Sequence, residues 1–253
     1  HEDGHSQVMA GLIPNCVSYD PAFAYELAVI IHDGLRRMVG KQEDVYYYIT
    51  VMNENYQHPG LDEAADKDAT QGILRGMDLL REGPQKKLKV QLLGSGTILR
   101  EVIAAAELLA TDWDVGADIW SATSFNELRR EGLECERWNL LHPTEAPRQS
   151  HVERCPVNRP GPVIASTDYV KNHADQIRVF MPKGRAYRVL GTDGFGRSDT
   201  RQRLRYHFEV DRHWITVAAL KALAEEGAVS PQRVAEAIGK YGIDVNKPNP
   251  LTV

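Results

Sequence analysis

The strongest constraint on the fold is an alternation of short apolar runs with longer segments of helical periodicity. Runs suited to buried strands occupy residues 89–93, 117–122, 162–167 and 186–191. Between them, apolar residues recur at the spacing of helices that bury one face. Strands separated by helices favour right-handed βαβ crossovers, so we predict an α/β protein with a mostly parallel sheet in a three-layer αβα arrangement. The predicted helices are 68–82, 99–110, 124–141, 168–180 and parts of 199–240.

One helix and one strand precede this alternation. Asp20-Pro21 is typical of a helix start, and the apolar spacing predicts a helix over 21–39 that stops at Gly40 in a left-handed conformation. Residues 45–52 (VYYYITVM) are apolar on both faces, which predicts a buried strand. The polar, turn-rich stretch 53–67 that follows is the best candidate for an interdomain linker.

Composition narrows the class of protein. Of the 253 residues, 42% are hydrophobic and 26% are charged, which excludes disordered, collagen-like and membrane-embedded proteins. The 30 basic and 35 acidic side chains leave a net charge of −5, without the positive excess of a nucleic-acid binder. No apolar run approaches the roughly 18 residues that span a membrane. Three separated cysteines without a CxxC pair indicate reduced thiols in a cytoplasmic protein.

The first five residues, HEDGH, formally match the zinc motif H-E-x-x-H through His1, Glu2 and His5. Gly4 would cost about 1 kcal/mol inside a helix, and no apolar periodicity surrounds the motif, so a zinc hydrolase is disfavoured. Two interpretations stay open. Either the loop presents an imidazole that its acidic neighbours keep protonated as a proton donor, or it is simply a solvated charged loop.

Two glycine-containing loops follow predicted strands. Gly94–Gly96 lacks the third glycine of a dinucleotide-binding motif, because Leu99 stands there, so we predict a tight turn with Ser95 or Thr97 as helix cap. The second loop, 191–199, lies where α/β sheets place ligands and continues into a basic stretch from Arg197 to His207.

That basic stretch could hold an anion or an acidic partner. Asp199 and Arg203 can instead form an i,i+4 pair, and we favour a solvated surface face. Similarly, Cys135 beside Arg137 could be a reactive thiol, although a structural helical cysteine is the favoured interpretation.

Seven segments, in order along nearly the whole chain, resemble the homodimeric, bacterial-type pyruvate dehydrogenase family, which is the thiamine-diphosphate-dependent first component of the pyruvate dehydrogenase complex. The segments are HEDGHS (1–6), IPNCVSYDPAFAYELAVIIHDGL (13–35), VYYYITVMNENY (45–56), KVQLLGSG (89–96), CERWN (135–139), ASTDY (165–169) and VLGTDGFGRSD (189–199).

The resemblance implies a domain organisation. Family members are several times longer, with three α/β domains as in transketolase, so this chain would be the C-terminal portion. Residues 1–56 would be the tail of the middle, pyrimidine-binding domain, 57–70 a linker, and 71–253 a transketolase-like C-terminal domain.

The resemblance also implies an activity: pyruvate is decarboxylated, and the lipoyl group of the dihydrolipoyl acetyltransferase component is reductively acetylated, by a homodimer that uses thiamine diphosphate and Mg²⁺. His1 would be the catalytic residue, hydrogen-bonding and transferring a proton to the pyruvate-derived adduct, and Asp3 and His5 would support its orientation. The family offers no assigned role for Asp193–Asp199, which we treat as structural. No nucleic-acid or membrane partner is implied.

The family's diphosphate and magnesium motif, GDG followed downstream by Asn, is absent from the sequence, as is the segment with the cofactor-activating glutamate. We expect both upstream, and we expect this chain alone to be inactive and to bind thiamine diphosphate weakly. The alternative is an isolated structural or dimerisation domain without catalysis of its own.

Overall fold

The computed structural model of the chain describes residues 2–60, 66–156 and 158–253. The strands are β1 Cys16–Tyr19, β2 Tyr46–Ile49, β3 Asp78–Arg81, β4 Leu88–Gly94, β5 Val115–Ser121, β6 Val163–Ser166 and β7 Tyr187–Leu190. The α-helices are α1 Ser6–Gly11, α2 Ala24–Leu35, α3 Asp66–Arg75, α4 Leu99–Trp113, α5 Phe125–Leu141, α6 His151–Arg154, α7 Lys171–Asp175, α8 Arg201–His207, α9 Arg212–Glu225 and α10 Pro231–Lys240.

The larger sheet has the order β3-β5-β4-β6-β7. The four strands β4 to β7 pair in parallel, and β3 joins β5 antiparallel at one edge. In the central strand β4, successive residues serve opposite faces: Leu92 packs in one hydrophobic core, and Leu93 packs in another. Because both faces are buried, the strands read as continuous apolar runs rather than alternating ones.

Helices cover both faces of this sheet. On one side α4 and α9 contribute Val102 and Leu220 to the core around Leu92. On the other side α5 contributes Phe125 to the core around Leu93, together with Ile177 from the segment after α7. The predicted α/β class and three-layer arrangement are therefore confirmed. No helix among the described residues is long and apolar enough to cross a membrane.

The first part of the chain forms a separate parallel pair, β1 with β2. The prediction that 45–52 is a buried strand is wrong in extent and burial, because β2 covers only Tyr46–Ile49 and Tyr46 is 40% exposed. Within the described residues β2 pairs only with β1, so one of its edges has no neighbouring strand. Strand β1 was not predicted from the sequence.

Helix α2 begins later than predicted, at Ala24. The carboxylate of Glu26 accepts hydrogen bonds from the amides of Ala22 and Phe23, at 2.7 and 2.9 Å, and so replaces Asp20 as the cap. After Leu35 the chain continues as a π-helix to Gly40, which does not adopt the predicted left-handed conformation; Gln42 does, with φ 54°.

Two other predicted helices are shorter in the structure. The helix predicted over 68–82 ends at Arg75, because Gly76 turns the chain with φ +104° and residues 78–81 pair with β5 instead. The helix predicted over 168–180 divides into α7 and a short 3₁₀ helix at Arg178–Phe180. Part of the predicted linker 57–70 lies outside the described residues, and its last positions belong to α3.

Candidate active site

The HEDGH loop comprises residues 1–5, and the predicted catalytic residue His1 lies outside the described residues. Residues 2–5 are not helical, since α1 begins at Ser6. The zinc motif would need a continuous helix to place two imidazoles one turn apart. No group of three or more His, Cys, Asp or Glu side chains suited to a metal occurs in the part of the chain that the structure describes.

Asp3 holds this loop in shape. Its Oδ1 accepts hydrogen bonds from the amides of His5 and Ser6, both at 2.9 Å, and its Oδ2 accepts one from the Ser6 hydroxyl. Partial burial of Asp3 opposes its ionisation, but the hydrogen bonds from Ser6 and His5 outweigh it and lower the pKa of the carboxyl. Asp3 is thus a negatively charged residue that stabilises the turn immediately before α1.

A cavity of about 170 Å³ lies beside the HEDGH loop. Glu2, Asp3, Gly4 and His5 form one wall, residues 52–54 form another, and α8 with the preceding loop forms a third. The structure thus places both Asp3 and His5, which the sequence singled out, on the cavity wall. Its lining mixes carboxylates with the guanidinium groups of Arg197, Arg201 and Arg205.

The glycine-rich loop, residues 191–199, is anchored to the segment that follows β6. The Thr192 amide donates to the Tyr169 carbonyl at 2.9 Å, and Asp193 accepts from the Lys171 amide at 2.8 Å. Gly194 has φ +102° and lies against Pro250, where a side chain would clash. The loop is therefore a fixed turn at the edge of the cavity.

The basic stretch Arg197–His207 is only partly the solvated face that the sequence predicts. The Arg203–Asp199 pair is present at 3.9 Å. However, Arg205 is largely buried and contacts Glu54 at 2.5 Å and Glu101 at 3.2 Å. The interpretation as a surface face is wrong for Arg205, because carboxylates distant in sequence fold over it.

The sequence reasoning missed two carboxylates, Glu54 on the cavity wall and Glu101, which contacts the cavity residue Arg205. Glu54 also pairs with Arg100 at 2.6 Å, and Glu101 with Arg212 at 2.9 Å. Burial opposes ionisation of Glu101, but hydrogen bonding and charge from Arg212 outweigh it and lower the pKa. This Glu–Arg network ties segment 53–54 to α4, α8 and α9. The one signal in the sequence is that Glu54 belongs to a segment that carries the family resemblance, 45–56.

The turn after β4 is confirmed as a tight turn, since Gly96 has φ +48°. Neither Ser95 nor Thr97 caps the helix; Ser95 Oγ instead lies 3.0 Å from Thr167 Oγ1. The Gly96 amide donates to the Asp20 carbonyl at 3.0 Å, and a Cβ on Gly96 would lie 2.6 Å from Asp20 Oδ2. Glycine is required here because the buried Asp20 carboxylate stands against the turn.

Cys135 and Cys155 lack the lowered pKa of reactive cysteines. Burial raises the pKa of Cys135 above its usual range, with Glu131 adding to the effect. Burial also raises the pKa of Cys155 to about 12, although His151 Nε2 lies 3.4 Å from its sulfur. A raised pKa lowers the thiolate fraction, so the structural interpretation of Cys135 is favoured.

Both parts of the chain match known protein families. Residues 1–59 match the family described as the pyruvate dehydrogenase E1 component middle domain, and residues 76–211 match the transketolase-like C-terminal domain family. The second match alone covers more than half of the chain. The chain belongs to the transketolase-like family.

Curated relatives extend the match over the whole chain. The pyruvate dehydrogenase E1 component of Cupriavidus necator is 62% identical over 100% of this chain, and that of Escherichia coli is 55% identical over 99%. The chain spans 28% of the length of each of these relatives. The transketolase from Leishmania mexicana shares the fold, with a TM-score of 0.59 at 13% identity, over 89% of this chain and 28% of that one. The resemblance stated from the motifs is confirmed.

Proposed function

We propose that this transketolase-like chain is part of a pyruvate dehydrogenase that decarboxylates pyruvate and reductively acetylates the lipoyl group of an acetyltransferase component. The observation that supports this most is the 62% identity to a pyruvate dehydrogenase E1 component in a match that covers the entire chain. Residues 1–56 would belong to the middle domain, 57–70 to a linker, and 71–253 to the C-terminal domain of a homodimeric enzyme.

In this proposal His1 forms hydrogen bonds and transfers a proton at the substrate-derived carboxylate or hydroxyl. Asp3 supports this role in two ways. The hydrogen bonds that it accepts from the amides of His5 and Ser6 fix the turn over residues 3–6, which follows His1 closely in the sequence. Its negative charge, which persists to low pH because its pKa is lowered, favours the protonated imidazole.

Thiamine diphosphate would supply the carbanion chemistry when bound. The described residues do not fit it as a site of their own, because they include no suitable group of metal ligands. The cavity of about 170 Å³ is also smaller than the roughly 300–1,000 Å³ usual for sites of this kind. We therefore propose that the cofactor and Mg²⁺ are held mainly by parts of the relatives' length that this chain does not span.

The catalytic role is tested by His1→Ala in the full-length enzyme, with acetyl transfer to a lipoyl domain as the assay. Loss of a general acid–base group predicts a fall in kcat of about 10²–10⁴-fold with an unchanged oligomer. His32→Ala is the matched control, because His32 is an exposed helical histidine of the same segment. Equal turnover of the His1→Ala variant and the control would contradict the proposal.

The cofactor assignment has its own test. Calorimetric titration of the 253-residue chain with thiamine diphosphate and Mg²⁺ should show weak or no binding, whereas the full-length enzyme binds. Tight magnesium-dependent binding by this chain would overturn the assignment.

An alternative, that the chain serves dimerisation without catalysis, is favoured by exposed apolar side chains near the ends of α1 and α2. Leu12 is 78% exposed and Val39 is 70% exposed. If this alternative alone holds, Leu12→Asp dissociates the full-length enzyme while His1→Ala leaves turnover intact.

A further inference from the structure

We propose that the glycine-rich loop positions the HEDGH loop for catalysis, with Gly196 and Ser198 as positioning residues. This inference rests on the proposed role of His1. The two loops are almost 200 positions apart in the sequence, and the glycine-rich loop lies in the segment assigned above to the C-terminal domain. A function for that segment in the reaction would follow: it holds the catalytic loop at the edge of the cavity.

The first observation is a backbone approach that only glycine permits. A Cβ on Gly196 would lie 2.3 Å from the Glu2 Cβ and 2.8 Å from the Glu2 carbonyl oxygen. The φ of Gly196 lies outside the left-handed region, so the need for glycine there is steric and comes from Glu2. Glu2 immediately follows His1 in the chain.

The second observation is a pair of hydrogen bonds that holds the HEDGH loop at two points. Ser198 Oγ donates to Glu2 Oε1 at 3.0 Å, and the Val170 amide donates to the Gly4 carbonyl at 3.0 Å. Asp3 lies between these two points and shapes the loop internally. The HEDGH loop is thus held from outside on both sides of Asp3.

The third observation is that the glycine-rich loop can itself serve as a fixed support. Its hydrogen bonds from Thr192 to Tyr169 and from Lys171 to Asp193 tie it to the segment that follows β6. One contact joins two backbone groups and the other joins a backbone amide to the Asp193 carboxylate, and neither involves a residue of the HEDGH loop. A support of this kind matters for catalysis, since misplacing a reacting group by about 1 Å can cost on the order of 10²-fold in rate.

Gly196→Ala in the full-length enzyme tests this directly, because the added methyl must displace Glu2. We expect kcat to fall by about 10- to 100-fold with little change in KM, and amide hydrogen exchange in residues 1–12 to become faster. Gly239→Ala is the matched control. A methyl group added at Gly239 would have no heavy atom within 4 Å, so exchange and kcat should equal those of the unaltered enzyme.

Substitutions of Ser198 disturb the contact with Glu2 more mildly than a substitution of Gly196, and a conservative variant should restore the loss. Ser198→Ala removes one exposed hydrogen bond and should lower kcat by about two- to tenfold. Ser198→Thr keeps the hydroxyl and should restore most of that loss. If Ser198 had only a structural role, the substitutions would change the free energy of unfolding, and kcat would not differ between the alanine and threonine variants.

The outcomes separate the two proposals. Unchanged exchange in residues 1–12 and unchanged kcat in Gly196→Ala would overturn the positioning role. Faster exchange with unchanged kcat, while His1→Ala is inactive, would overturn it as well. If His1→Ala itself keeps full turnover, the proposed function fails, whereas the exchange measurement still reports whether the two loops are coupled.

Discussion

Replacing Asp20 by asparagine should stabilise the chain more at pH 8 than at pH 5. The Asp20 side chain is 2% exposed; its Oδ1 accepts a hydrogen bond from Thr50 at 2.8 Å, and its Oδ2 has no partner among the described residues. Burial raises the pKa of this carboxyl from 3.8 to about 7, against the hydrogen bond from Thr50, and the neighbouring Asp168 and Glu26 add to the rise.

The raised pKa of Asp20 determines whether the stability of the chain rises or falls with pH. The folded state holds the Asp20 proton more tightly than the unfolded state, so this group has no effect on the pH dependence of stability below about pH 4. Stability then falls as the pH rises from there to about 7, because the unfolded chain releases the proton and the folded chain does not. The rise in the pKa from 3.8 to about 7 corresponds to about 4 kcal/mol of stability in total. About 2–3 kcal/mol of it is lost between pH 5 and pH 8.

Asparagine has nearly the same shape, stays neutral, and can still accept the hydrogen bond from Thr50 through its amide oxygen. Urea unfolding of the original chain and of Asp20→Asn, followed by circular dichroism at several pH values, isolates this one group. The variant should gain about 2–3 kcal/mol relative to the original chain between pH 5 and pH 8. Asp44→Asn, at an exposed position, should show no such gain. Parallel pH curves for the Asp20→Asn and original chains would refute the reasoning.

Three other substitutions or measurements test the fold and the network. Leu92→Ala removes a fully buried side chain from the central strand and should lower the free energy of unfolding by about 2–5 kcal/mol, measured by urea unfolding. Glu101→Gln leaves the largely buried Arg205 without one carboxylate and weakens the contact to Arg212, which should cost about 1–3 kcal/mol in the same assay. Alkylation of Cys155 by iodoacetamide at pH 7.5 should be much slower than that of a free thiol, because its pKa is raised to about 12.

The two substitutions each have a control at an exposed position. Leu140→Ala removes a leucine that is 78% exposed and should leave unfolding unchanged. Arg203→Gln removes a guanidinium whose side chain is 78% exposed and should change stability far less than Glu101→Gln. Equal losses from the buried and exposed members of either pair, or rapid alkylation of Cys155, would contradict the assignments.

The sequence predicts well those elements whose cause is local. Val90 to Leu93 and Val163 to Ala165 are mostly apolar runs between turns, and they form parallel strands as expected. The helix predicted over 124–141 has a local cap at its first position, since the Ser124 hydroxyl accepts a hydrogen bond from the Glu127 amide at 3.0 Å. Local capping and local periodicity are visible without knowledge of the fold.

The incorrect or missing predictions arise from contacts between residues that are far apart in the sequence. Residues 78–81 (DLLR) have little strand propensity, and they become β3 because β5 offers a free edge. Asp20 has the sequence of a helix cap, yet Glu26 takes that role and Asp20 is buried against Gly96. Glu101 and Arg205 are 104 positions apart, so nothing in the local sequence indicates that they pair.

The central claim is that the HEDGH loop carries the histidine that transfers a proton during turnover of pyruvate. The most direct test is the rate of pyruvate decarboxylation by the full-length His1→Ala enzyme, measured with and without added imidazole. We predict a loss of about 10²–10⁴-fold that imidazole partly restores in proportion to its protonated form. A His1→Ala enzyme that turns over pyruvate at the original rate, or an impaired one that imidazole does not restore at any concentration, would contradict the claim.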